Sequence, residues 1–328
     1  MGILHRLAAT YLPRTLEARA YRRAAHPQVT VLMYHEVLPR EIDVPSWLVV
    51  TAGRFKRQMR YLKRHFRVLS MDAAIDFLAN GANQTKARRP PAVLTFDDGY
   101  AGNFNCALPI LRELQLPFTV YVSTSMIASG GRFWHDRIIA ALITAGRGKL
   151  SVQTSAGTLE YCGSARLDVR RWAGIEKILT QLKSLPPEER EHIADRLDPD
   201  ARIPALRMMT PAELCQLAAE PLVTIGNHTH AHELLDQLDS DRATATILEA
   251  QTLLEKWTGR RPVHFAYPNG NYVAETVALV ERLGMATAVT GISRPWLETD
   301  SRFEIPRIGI GRFDNLNLFR ARMCGLLQ

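Results

Sequence analysis

Cysteine is scarce in this chain and poorly spaced for chemistry. The 328 residues hold four, Cys106, Cys162, Cys215 and Cys324, with no Cys-x-x-Cys among them. Such spacing excludes a disulfide-stapled scaffold and a thiolate metal site, and reads as unpaired thiols in a reducing compartment. Long apolar runs are missing too. No stretch approaches the roughly 18 residues that a membrane-spanning helix requires. The opening, MGILHRLAATYL, places His5 and Arg6 where a secretory signal would need its apolar centre. A cytoplasmic protein is therefore expected. Repeats and low-complexity tracts are absent, and 46% hydrophobic content excludes wholesale disorder.

Acid is missing locally. Lys and Arg total 41 against 33 Asp and Glu, a net +8. Residues 1–67 hold thirteen basic and four acidic side chains, so the first fifth of the chain carries the whole excess. Within 1–27, Ile3, Leu4, Leu7, Tyr11 and Leu12 recur at helical spacing beside five arginines, as in a basic amphipathic segment. In 54–67, Phe55, Met59, Leu62 and Phe66 form one stripe and seven basic residues fill the rest, without one acid. A solvated helix face and contact with an anionic membrane surface both fit. Nucleic acid is not an expected partner, because its recognition needs basic surface at the site itself.

Beyond these segments the chain alternates. QVTVLMYHEV (28–37), PAVLTFDDGY (91–100), PFTVYVSTS (117–125), VTIGNHTHAH (223–232) and PVHFAYPNG (262–270) are apolar runs of strand length, separated by helical patterns. Strands of this kind, alternating with helices, predict a parallel sheet covered by helices. Residues 130–204 break the rhythm with a helical pattern, a hairpin-like pattern and a charged helical stretch interrupted at Leu185-Pro186-Pro187, and read as an insertion. At its end Thr210-Pro211-Ala212-Glu213 is a capping box that restarts the rhythm.

Three of these strands close on polar clusters: Asp97-Asp98, His228-Thr229-His230-Ala231-His232, and Tyr267-Pro268-Asn269-Gly270. In parallel α/β folds the carboxyl ends of the strands build the active site. Adjacent carboxylates at a strand end point apart, so one can bind a cation while the other accepts a proton. His228 and His232, four apart, reach the same side of one helical turn and can share a metal. Two imidazoles and one carboxylate leave positions open for water and substrate.

TFDDGY, NHTHAH and FAYPNG together resemble the three leading signatures of the polysaccharide deacetylases, the NodB-homology domain of carbohydrate esterase family four. VLMYHEV and TGRRP fit the same resemblance, which covers about 28–125 and 208–312. It implies a distorted, incomplete (β/α) barrel and hydrolysis of the N-acetyl group of N-acetylhexosamines with a divalent metal, commonly zinc. By motif position it implies Asp98, His228 and His232 as metal ligands and Asp97 as the general base. It further implies the backbone N–H of Asn269 as a donor to the tetrahedral oxyanion. Tyr267 and Trp134 are the candidate substrate contacts.

The sequence departs from the family at two points. Ala266 stands where many members have an arginine that orients the base, and Arg307, from another strand, is the candidate replacement. The Leu-x-His motif that usually supplies the general acid is absent. His35, His135 and His264 are the remaining candidates to protonate the leaving amine, and His35, at a strand end, is preferred. The insertion is expected to wall the site, with Phe133, Trp134 and Trp172 offering aromatic surface to a sugar ring. The domain reading is thus a basic segment at 1–27 and a catalytic domain at 28–328.

Three functional readings follow. The first is a metal-dependent N-deacetylase acting on an amino sugar of a cell-surface glycan or lipid-linked glycan precursor, placed peripherally at the inner membrane surface. The second keeps the site and changes the substrate to a small cyclic or linear amide. The third, a non-catalytic carbohydrate-binding module, predicts loss of the ligand residues, all of which are present.

Overall fold

Runs of fully buried residues, such as the six of Pro91–Phe96, cannot lie on a sheet with one wet face. They form its interior strands. The computed structural model describes residues 27–324, apart from 43, 45–46, 81–88, 146–147, 164–168, 198–202 and 204. The basic segment expected over 1–27 therefore lies, except for Pro27, outside the described residues.

The strands are β1 (Gln28–Tyr34), β2 (Glu36–Leu38), β3 (Val49–Thr51), β4 (Arg67–Leu69), β5 (Pro91–Phe96), β6 (Phe118–Val122), β7 (Lys149–Thr154), β8 (Gly157–Cys162), β9 (Val223–Asn227), β10 (His264–Ala266), β11 (Thr287–Val289), β12 (Trp296–Leu297) and β13 (Ile308–Gly309). The main sheet runs β11-β10-β9-β6-β5-β1-β12, with β4 beside β5 and β13 beside β1. Every pairing in it is parallel except β1 with β12.

Two strands share their edges. One side of β5 pairs with β4 through residues 91–93 and with β6 through residues 95–96. One side of β1 takes β12 at Gln28 and Val29, then β13 at Leu32 and Met33. The segment that follows β12 reaches both ends of the curl, because Ile305 bridges Val289 of β11 and Ile308 pairs with Leu32 of β1. The fold is thus the distorted, incomplete (β/α) barrel expected from the sequence, and its carboxyl-end loops converge on one rim.

Residues between 130 and 204 build a separate packing unit. The helices Trp134–Thr144, Val169–Lys183 and Pro187–Leu197 and the antiparallel hairpin β7–β8 bury Ile138, Ile139, Leu142, Leu159, Ile175 and Leu182 among themselves. Each such side chain contributes about 1.5–3 kcal/mol on burial.

The acid-free segment forms the helix Ala52–His65, capped by Thr51, with Phe55, Gln58, Met59 and Leu62 buried. Its charged face is partly answered by Glu113 of another helix, which pairs with Lys56 at 2.5 Å and Arg60 at 3.7 Å. Among the described residues no helix is long and apolar enough to cross a membrane.

Candidate active site

The chain turns sharply at the end of β5. Asp97 N–H donates to Tyr34 O at 2.9 Å, and Asp98 then takes φ 76°, with Gly99 at φ 90°. A non-glycine residue at positive φ costs about 1–3 kcal/mol, a strain that persists only where the surroundings enforce it. The turn sends the two carboxyl groups to different partners, both almost fully buried.

Asp98 Oδ1 lies 3.5 Å from Nε2 of His228 and 3.5 Å from Nε2 of His232. One donor atom from each of the three lies within 4.8 Å of the others. The histidines do not converge by sharing a helical turn, as the four-residue spacing suggested. Thr229 and His232 both have positive φ, 63° and 58°, and the segment is a loop. Side chains and backbone pin it: Asn227 Oδ1 accepts from Thr229 N–H at 2.9 Å, Ser123 Oγ donates to His228 O at 2.7 Å, and Thr229 Oγ1 accepts from Glu233 N–H at 3.2 Å.

His228 Nδ1 stands 2.8 Å from the carbonyl of Ala266, so that nitrogen carries the proton and Nε2 keeps its lone pair for the centre. Burial would raise Asp98, but the imidazoles of His228, His232 and His35 around it hold it well below the ordinary carboxylate value. Burial, aided by His228, His135 and Lys183, lowers His232 and keeps it neutral. Asp98 Oδ1 is nonetheless buried without a hydrogen-bond partner. An ionised orphan oxygen facing two imidazole nitrogens is costly alone and fits a divalent cation.

Asp97 is held differently. Arg307 grips it with two parallel bonds, Nη1 to Oδ1 and Nη2 to Oδ2, each 2.7 Å. The same guanidinium donates from Nε to Thr290 O at 3.0 Å and from Nη1 to Thr95 Oγ1 at 3.2 Å, and Thr95 in turn donates to Leu32 O. Burial pushes Asp97 upward, and the Arg307 charge and bonds more than reverse that, leaving it below its ordinary value.

The third motif forms a short 3-10 turn, Pro268–Gly270, with Asn269 at φ 58°. Gly270 follows at φ 76°, and a Cβ there would lie 2.5 Å from Gly291 N, so only glycine fits. The Asn269 side chain accepts a hydrogen bond from Lys183 and donates to Asn271 Oδ1 at 2.6 Å.

Of the three histidine candidates, two stand by the site. His35 meets Trp47 edge-on at 5.4 Å, and its charge is felt by both aspartates. His135 stacks on Phe133 at 5.1 Å and meets His232 at 5.6 Å. Burial lowers His135 to about 4. His264 does not belong. It begins β10, at the end of the strand remote from the motif, and its nitrogens face Thr287 at 2.9 Å and Asp72 at 3.2 Å.

The aromatic expectations need correction. Trp134 is 8% exposed and Trp172 7%; both belong to the insertion's own core, with Arg190 over one ring and Arg312 over the other. Phe133 is buried against His135 and His232. Tyr267 is fully buried, stacked on Tyr272, with its hydroxyl donating to Phe303 O at 3.0 Å. None presents an open face to a sugar; hydrophobic packing claimed them first.

The sequence reading also overlooked two buried acids. Tyr100 OH donates to Asp136 Oδ2 at 2.9 Å, and burial, with the Asp98 charge, raises Asp136 to about 7. Glu36 accepts from the N–H groups of Val37 and Gly102, and burial raises it to about 8. For Asp136 the available signal was its place as the single acid of the helix Trp134–Thr144.

Comparison with known proteins adds to this geometry. The family model described as polysaccharide deacetylase matches residues 84–288. No curated protein is significantly similar to the chain. The chain is similar in fold to the deacetylase PplD of Streptococcus pyogenes, solved with acetate, at TM-score 0.57 and 19% identity over 91% of this chain and 99% of that one. It is likewise similar to IcaB of Ammonifex degensii, at TM-score 0.57 and 17% identity over 90% and 97%. A third likeness is to the deacetylase domain of BpsB of Bordetella bronchiseptica, at TM-score 0.51 and 18% identity over 87% and 96%.

Proposed function

Since the chain belongs to the polysaccharide deacetylase family, we propose that it is a metal-dependent N-deacetylase. It removes the acetyl group from an N-acetylhexosamine in a cell-surface glycan or lipid-linked glycan precursor. The observation that carries this reading is the buried Asp98–His228–His232 cluster with its orphan oxygen, set beside an arginine-clamped Asp97. The deacetylase names of PplD and of the BpsB domain support it.

Asp98, His228 and His232 would hold the ion, with zinc the first candidate. Bound there, a divalent ion polarises the acetyl carbonyl and makes water a competent nucleophile near neutral pH. The chain's own residues do the rest. Asp97, kept ionised and oriented by Arg307, accepts the proton of the attacking water. The backbone N–H of Asn269 donates to the oxyanion, a contribution of about 3 kcal/mol where such donors are pre-aimed. His35 returns a proton to the departing amine. His135 suits that task less, because at about 4 it is already deprotonated at neutral pH.

No disulfide joins the four cysteines, which supports a reducing, cytoplasmic setting. The acid-free basic face of the helix Ala52–His65 supports peripheral contact with anionic membrane. The deciding experiment is acetate release from N-acetylglucosamine oligomers by zinc-loaded protein and by Asp97→Asn. Release by the first and near-complete loss in the second are expected. Full activity in Asp97→Asn would sink the mechanism, and release from ring amides instead of sugars would transfer the site to another substrate class.

A further inference from the structure

The insertion brings one cation to the rim of the site. Lys183 ends the helix Val169–Lys183 and donates to Oδ1 of Asn269, the residue of the third motif. Its charge reaches His232 and His135. It is half-buried, and among the described residues no carboxylate pairs with it. Its charged neighbour is another cation, Arg190.

Neither local role explains the charge. A lysine in a last helical turn often complements the helix dipole. Here the Lys183 carbonyl is already served, by Arg190 Nη1 at 3.0 Å and Gln237 Nε2 at 2.7 Å. Tying down the Asn269 side chain needs a hydrogen-bond donor but no charge. An ammonium drawn partly out of water, beside a second cation and with no acid to meet it, loses solvation without return inside the molecule. The balance of the site points the same way. Arg307 answers Asp97, so a divalent ion at Asp98 leaves one positive charge over, and Lys183 adds another.

We infer that Lys183 reads an anionic group on the substrate, so that the N-acetylhexosamine entering the site carries a phosphate or a carboxylate beside the ring that bears the acetamide. This rests on the deacetylase reading and narrows its substrate class. The insertion then acts as a specificity element, delivering a charge that the barrel loops do not supply.

The test is calorimetric binding to the zinc-loaded protein of three probes: N-acetylglucosamine 1-phosphate, a disaccharide of N-acetylglucosamine and glucuronic acid, and neutral methyl N-acetylglucosaminide. At least one anionic probe should bind roughly tenfold more tightly than the neutral one, and added salt should narrow the gap. Which probe it is separates phosphate from carboxylate. In Lys183→Gln the ratio should fall toward one, and in Lys183→Arg it should persist. Equal affinities in the unaltered protein, or an undiminished ratio in Lys183→Gln, would overturn the inference. Acetate release from the same probes keeps the two readings apart. Charge-selective binding without release overturns the deacetylase reading alone, and equally fast release from neutral and anionic probes overturns the role of Lys183 alone.

Discussion

Arg307 and Asp97, 210 residues apart, face each other through two parallel hydrogen bonds of 2.7 Å, both buried from solvent. The fork geometry fixes the plane of the carboxylate as well as its charge. Arg307 comes from the segment that bridges β11 to β1, so the closure of the curl and the orientation of the base are one structural event.

Breaking that pair should be costly on two counts. Arg307→Met leaves a buried carboxylate unpaired, and a loss of about 3–5 kcal/mol of stability is expected by thermal unfolding. Arg307→Lys keeps the charge but not the fork. It should fold, bind zinc as before, and lose about a hundredfold in kcat as the base drifts from its position. Unchanged kcat in Arg307→Lys would remove the orienting role.

Asp98→Asn removes the ionised oxygen between the two histidines. Zinc at a hundred times its dissociation constant should stabilise the unaltered protein by about 2.7 kcal/mol. The variant should gain little. Thermal unfolding with and without zinc measures the difference, and equal stabilisation of both proteins would place the ion elsewhere.

Asp136 sets a pH dependence whose sign can be worked out. Its folded value is raised from 3.8 to about 7. The folded protein therefore holds this proton more tightly than the unfolded chain does. The stability it contributes is fully present below about pH 4 and is lost as pH rises through about 7. His135, lowered from 6.5 to about 4, acts in the opposite sense, losing its contribution as pH falls toward 4. Asp136→Asn keeps an acceptor for Tyr100 but cannot titrate. Its stability relative to the unaltered metal-free protein should improve steadily from pH 4 to pH 7, as denaturant titration would record. A flat difference would contradict the raised value.

Gly270→Ala tests the third motif. The added carbon would lie 2.5 Å from Gly291 N at a backbone φ of 76°, so the turn or its neighbour must shift. A loss of about 1–3 kcal/mol is expected in thermal unfolding, together with lower kcat as Asn269 moves. Unaltered stability would show that the two loops yield easily.

The order of the parts was legible in the chain. Apolar runs closing on Asp97-Asp98, on His228 and His232, and on Asn269 identify strand ends, and parallel strands carry such ends to one rim for reasons that involve only local pattern and handed connections. The capping box at Thr210 and Glu213, with both reciprocal bonds formed, was equally local. The loop that joins the histidines was not. Its positive φ values at Thr229 and His232 are imposed by Asn227, Ser123 and Glu233, and no spacing rule encodes them. Trp134, Trp172 and Tyr267 show the same limit from another side. A large aromatic ring near a site fills a core or faces a ligand with the same sequence pattern, and only the packing around it distinguishes the two.

Sequence alone determined which residue types could gather: a carboxylate pair, two histidines and a turn that demands glycine, in an order that an α/β barrel would bring together. It determined the scarcity of cysteine as well, and with it the exclusion of a disulfide-stapled scaffold, since such a scaffold needs closely spaced cysteines. Tertiary structure decided the charges. Whether Asp97 meets Arg307, whether Asp98 keeps an orphan oxygen, and whether Lys183 stands unmatched at the rim depend on burial and on partners hundreds of residues away. Electrostatic energy is set by distance and desolvation, and neither is a property of the chain until it folds.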